Sequence, residues 1–188
     1  MPRRPARAPV RQVPNAVSAA ARAVASGDVV ALADLDVRAA AALIEDYGAR
    51  LEVIPAGGAI PGTYWGAPEA GLVGDCVYAR LDTPAHSLLH ELGHYVCMDG
   101  TRRAALAADA FGDDDEECAV CYLQLILADA LAGFGRARCL ADMDTWGYSF
   151  REGSAAAWLA GDGRAAREWL LARALIDAHD RPTYALRR

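Results

Sequence analysis

His90-Glu91-Leu92-Gly93-His94 spells HELGH, an instance of the pattern H-E-x-x-H. On an α-helix, positions i and i+4 share one face, so both imidazoles can reach a single metal ion. Glu91, one residue after the first histidine, stands where it can hold and deprotonate a metal-bound water. These residue types at this spacing are the core of a zinc hydrolase. Three of the chain's four histidines, His86, His90 and His94, fall within nine residues.

The flanking residues predict a helix around the motif. Thr83 is a suitable N-cap and Pro84 suits the first helical position; the helix runs to about Met98, with Gly100 beyond it. Leu88, Leu89, Leu92 and Val96 form its core-facing side. Leu72 to Leu81 alternates as a strand, and Leu51 to Pro55 and Thr63 to Gly66 read as two shorter ones. Upstream, helices are expected over Ala16 to Ser26 and, capped by Asp36, through Tyr47. Downstream, the acidic run Gly112 to Glu117 leads into a helix, Glu116 to Ala132, apolar nearly all round and therefore buried. Gly153 to Ala160 and Arg164 to Asp180 read as two more helices. The fold class is α+β: a small antiparallel or mixed sheet packed on the HExxH helix and a second buried helix, with extra C-terminal helices.

Composition bounds the partners. The chain has 188 residues, 54% of them hydrophobic, enough for a core without disulfide staples. Residues 1–14 read as a disordered basic arm and 15–188 as one domain. The net charge of −6 argues against a general nucleic-acid binder, although all nineteen basic residues are arginine. The N-terminus lacks the apolar stretch of a secretory signal, and no run reaches the roughly 18 apolar residues of a membrane span, so a cytoplasmic protein is expected. Five cysteines without such a signal suggest reduced thiols, with Cys118 and Cys121 as core residues.

Catalytic zinc takes three protein ligands and leaves a fourth position for water. HELGH supplies His90 and His94. Glu116 and Glu117, 22 and 23 positions after His94, are the candidates for the third. A carboxylate in the first turn of a buried helix needs a partner, and a cation is one. His86 extends the i, i+4 series, but three such positions drift around a helix and span about 12 Å, too far for one ion. It reads as a residue of the cleft or of the ligands' surroundings.

HELGH followed by Glu116-Glu117-Cys118-Ala119-Val120-Cys121-Tyr122-Leu123 resembles the ImmA/IrrE-type metallopeptidases and, more broadly, the gluzincins. In those families a second helix brings a glutamate ligand in a setting like E-x-x-A-[DN]. Aligning Ala119 and Tyr122 implies Glu116 as the third ligand, with Glu117 as the fallback. Val120 stands where the family has Asn or Asp, so the usual bond to a ligand histidine is missing or supplied elsewhere. The resemblance implies a zinc metallopeptidase acting on a protein or peptide, regulators included. Glu91 is the expected general base, handing its proton on to the leaving amine. Tyr148, Tyr95 and His179 are the candidate donors to the oxyanion. The substrate strand is expected to pair with the edge formed by Cys76 to Leu81. Two other readings stand beside this one. One is a catalytically weak metal-binding regulatory or interaction module on the same fold. The other is a structural zinc site using Cys118 or Cys121.

Overall fold

The structure is a computed structural model that describes residues 28–107, 110 and 112–188. The arm expected at 1–14 and the helix expected at Ala16 to Ser26 lie outside these residues. The architecture is α+β, with a three-stranded mixed sheet against a set of helices.

Helix α1 (Val37–Glu45) starts where expected: the Asp36 carboxylate accepts hydrogen bonds from the N–H groups of Arg38 and Ala39. Past it come β1 (Arg50–Val53), β2 (Gly71–Val73) and β3 (Cys76–Ala79), in the spatial order β1-β3-β2. β1 runs parallel to β3, and β2 antiparallel. The long strand expected over Leu72 to Leu81 is thus a hairpin. Gly74, at φ +61°, takes the left-handed position that a two-residue hairpin turn needs. Alternation alone cannot detect such a break, because the side-chain period resumes on the return strand. Thr63 to Gly66 is irregular rather than a strand. β3 is the central strand, paired with β1 over Cys76–Ala79 and with β2 over Cys76–Tyr78. The expected substrate edge at Cys76 to Leu81 is therefore corrected: Cys76 to Tyr78 is interior to the sheet, and Arg80 and Leu81 are engaged by the turn at Thr83 and by the Ala33 N–H.

The HELGH helix is α2 (Ala85–Cys97). Thr83 does not cap it; its hydroxyl accepts from the Arg80 N–H at 2.8 Å and closes the turn leaving β3. Instead, Ala85 N–H donates to Val30 O at 2.8 Å, so an earlier segment satisfies the helix start. Every residue of α2 except Glu91 is buried. That exceeds the amphipathic expectation, because neighbours cover both sides. The sheet packs against one side and helix α4 (Asp114–Ala128) against another.

Between them lies the short helix α3 (Gly100–Ala104), capped by Asp99. The Asp113 carboxylate accepts from Glu116 N–H at 2.9 Å and opens α4. From Ala119 to Ala128, α4 is buried without interruption. Its leucines Leu123, Leu125 and Leu127 contribute roughly 1.5–3 kcal/mol each on burial. Around it pack α5 (Gly135–Trp146), unread in the sequence, and α7 (Gly163–Ala172), with α6 (Ala155–Ala160) joining the two. The last helix stops at Ala172, well short of the expected Asp180. Ala174 turns the chain with a left-handed φ of 54°, and Ile176 bridges to Pro182. The segment then returns to α2, where Arg187 N–H donates to Val96 O at 3.0 Å. No helix among the described residues is long and apolar enough to cross a membrane.

Candidate metal centre

One turn of α2 separates His90 from His94, and their Nε2 atoms stand 3.1 Å apart. His90 Nδ1 lies 2.9 Å from Gln124 Oε1 on α4, whose amide nitrogen donates to Cys139 Sγ at 3.8 Å. With the amide nitrogen so engaged, Gln124 presents its oxygen, which can only accept. His90 Nδ1 therefore carries the hydrogen, and its Nε2 lone pair faces His94. Burial first, then the neighbouring His94, pushes the His90 imidazolium down to about 4; Glu117 and Gln124 oppose the shift. His90 is thus neutral near pH 7, the form that ligates metals.

The third member of the cluster is Glu117. Its Oε2 is 3.8 Å from His94 Nε2, and its Oε1 accepts from Gly112 N–H at 3.2 Å. One ligand atom from each of His90, His94 and Glu117 falls within 4.8 Å of the others. Two imidazole nitrogens on one tetrahedral zinc would stand about 3.3–3.4 Å apart, given Zn–N bonds of about 2.0–2.1 Å. The observed separation fits a shared ion with little adjustment.

Glu116, the residue that the resemblance implies, is turned elsewhere. Its carboxylate accepts from Arg102 Nη1 at 2.7 and 2.9 Å and from Arg187 Nη1 at 2.6 Å. Adjacent helical residues point about 100° apart, so only one of the two glutamates can face the histidines. Glu116 is 2% exposed, and its charge finds two guanidinium partners instead of a cation at the histidines. The fallback, Glu117, is the glutamate beside them.

Glu91 is the one partly exposed residue of α2. Its carboxyl is pushed up to about 8, by burial foremost and then by the carboxylates of Glu69 and Glu117. Glu69 is anchored by Trp146 Nε1, which donates to its Oε1 at 2.9 Å. The next residue, Ala70, donates its N–H to Ser87 Oγ at 3.0 Å. Ser87 and Glu91 are i and i+4 on α2, so the Glu69 loop is docked along the Glu91 face.

Of the three proposed donors, Tyr148 has its ring edge-on to His90, with centroids 5.9 Å apart. Tyr95 lies instead under the Arg103 guanidinium, and His179 is exposed with its backbone tied to Asp177. His86 is fully buried and meets Trp146 and Tyr148 edge-on, each at 5.5 Å. Its ring nitrogens have no hydrogen-bond partner, and burial, then His90, pushes it down to about 3. It stays outside the donor cluster, as its helical position predicts. All five cysteines are free thiols, and the cluster includes none of them among the described residues. That leaves the cysteine-ligated reading without geometric support.

Sequence reasoning missed Gln124, Gly112, Arg102 and Arg187. Gln124 had a signal: it is the one polar residue between Ala119 and Ala128, two turns after Glu117. It supplies the bond that Val120 cannot. Val120 has another task, because a Cβ on Gly93 would lie 2.9 Å from Val120 Cγ1. The x-Gly of HELGH lets α4 approach closely enough for Glu117 to reach the histidines. Compared with protein-family models, curated proteins and solved structures, the chain finds no match in any of the three.

Proposed function

We propose that the protein is a zinc-dependent metallopeptidase that hydrolyses a peptide bond in a protein or peptide substrate. The observation that carries this reading is the convergence of His90, His94 and Glu117 beside the partly exposed Glu91. A zinc ion held there would supply Lewis acidity and activate water. Glu91, the partly exposed residue of α2 beside the donor cluster, takes the proton from the attacking water and passes it to the leaving amine. Gln124 keeps His90 in the ligating tautomer. Tyr148, edge-on to His90, is the phenol best situated to donate to the developing oxyanion.

Glu91→Gln tests the role of the base. The variant should keep about one zinc per chain while cleavage of an unbiased peptide library falls roughly 10²–10⁴-fold. Cleavage at the wild-type rate would refute the general-base assignment.

One observation favours the second reading, a metal-binding module with little turnover. His90 and His94 are only 6% and 3% exposed, and Trp146 and Tyr148 of the C-terminal half pack over the His86–His90 side of α2. A zinc-loaded wild type that cleaves nothing in the library would select the module.

A further inference from the structure

Glu116 and Glu117 are chemically identical neighbours in the first turn of α4, and either could swing toward the histidine pair. Two cations from distant parts of the chain distinguish them. Arg102 arrives from α3, braced by a bond from its Nη2 to Ala110 O at 3.0 Å. Arg187 arrives from the segment that follows α7. Its N–H donates to Val96 O at 3.0 Å and its guanidinium to Cys97 O at 3.2 Å, so it is fastened to the end of the HELGH helix itself. Arg103 holds the carbonyl of Arg187 at 2.6 and 3.1 Å and those of Tyr95 and Met98 at 3.0 and 2.7 Å. Gly112 completes the arrangement: a Cβ there would lie 2.5 Å from the Glu116 carboxyl carbon, and its N–H holds Glu117 Oε1.

We propose that Arg102 and Arg187 are positioning residues that select Glu117 over Glu116 as the third donor of the His90–His94 centre. This rests on the metal-centre reading above. The physical basis is charge competition. A buried carboxylate needs a partner, and two guanidiniums give Glu116 one outside the histidine cluster. That fixes the rotation of the first turn and leaves Glu117 facing the imidazoles. Without the arginines, Glu116 is an unpaired buried charge one residue from a cation site and competes for it. Arg187 lies 71 residues from Glu116, so the segment after α7 takes part in building the centre.

The test is a mutant cycle on the full chain, read by zinc affinity against a chromophoric chelator and by the visible spectrum of the cobalt(II)-loaded protein. In the wild-type background, Glu117→Gln should lower zinc affinity at least 100-fold and alter the cobalt spectrum, because Glu116 is held away. In the R102A/R187A background, zinc affinity should itself fall about tenfold or more. There Glu117→Gln should cost less than tenfold further, because the freed Glu116 takes its place. Should removing both arginines prevent folding, the same cycle in R187K keeps the charge but loses the planar fork. It should show coupling of the same sign and smaller size, with circular dichroism reporting the fold. An equal cost of Glu117→Gln in a folded arginine variant and in wild type would overturn the selection while leaving the metal centre standing. A wild-type chain that binds no zinc would overturn both.

Discussion

Gln124 is a lone amide in a stretch of α4 otherwise made of Ala, Val, Cys, Tyr, Leu and Ile. A buried amide in such a place is costly unless its bonds are made, and here each end has a partner, His90 on one side and Cys139 on the other. Gln124→Leu removes the amide and keeps the bulk. Zinc affinity should fall 10–100-fold, the usual effect of losing a hydrogen bond to a ligand histidine. Unchanged affinity in a competitive chelator titration would show that His90 needs no partner to hold its tautomer. The same residue explains Val120. Gln124 stands one helical turn after Val120, and residues four apart share a face, so an amide at 124 reaches the side of α4 on which the resemblance led to the expectation of an Asn or Asp at 120. Position 120 is then free to serve packing.

At the scale of elements, the crossing of α2 and α4 decides whether the three candidate donors converge. Gly93 is inside a helix, where alanine is ordinarily better by about 1 kcal/mol. Here Gly93→Ala should do the opposite. The new methyl meets Val120 at 2.9 Å, and overpacking of this kind costs about 1–3 kcal/mol. The variant should melt lower and bind zinc less tightly, because spreading the helices draws Glu117 from His94. Adding Val120→Ala should recover much of both losses. Urea melts and zinc titrations of the two single variants and the double check this, and strictly additive effects would contradict the contact. The helix itself was legible in HELGH because i, i+4 spacing is a local property. Its cap was not: Val30 approaches through the tertiary fold and does the work expected of Thr83.

Across the whole molecule, one hydrophobic core runs from α1 through the sheet to Leu175 and Ile176, and the candidate centre lies at its edge on α2 and α4. A core of that extent stabilises the fold independently of an ion, unlike a closed structural zinc site. Zinc present at about 100 times its Kd should add about 2.7 kcal/mol. For a domain of this size, that corresponds to roughly 5–10 °C in Tm. Chelation should therefore lower Tm by about that amount and leave far-UV circular dichroism at 25 °C intact. Unfolding on chelation would instead indicate a structural site.

Local information sufficed for the features that depend on neighbours in sequence: the HELGH face, the cap at Asp36, the acidic opening of α4, its burial, and the α+β class. It failed where partners come from afar or where the pattern is silent. The polar, weakly amphipathic α5 carries no clear periodicity, and the hairpin turn at Gly74 sits inside an unbroken alternation. Helix α7 ends at Ala172 because the chain turns back toward α2, which nothing near Ala172 announces. Glu116 and Glu117 show the division most sharply. The sequence offered two carboxylates in that turn, and the family resemblance implied Glu116, whereas it is Glu117 that stands beside the histidines. The choice is an electrostatic one between two sides of a helix, made by guanidiniums 14 and 71 residues away from Glu116, and only the folded chain brings them there.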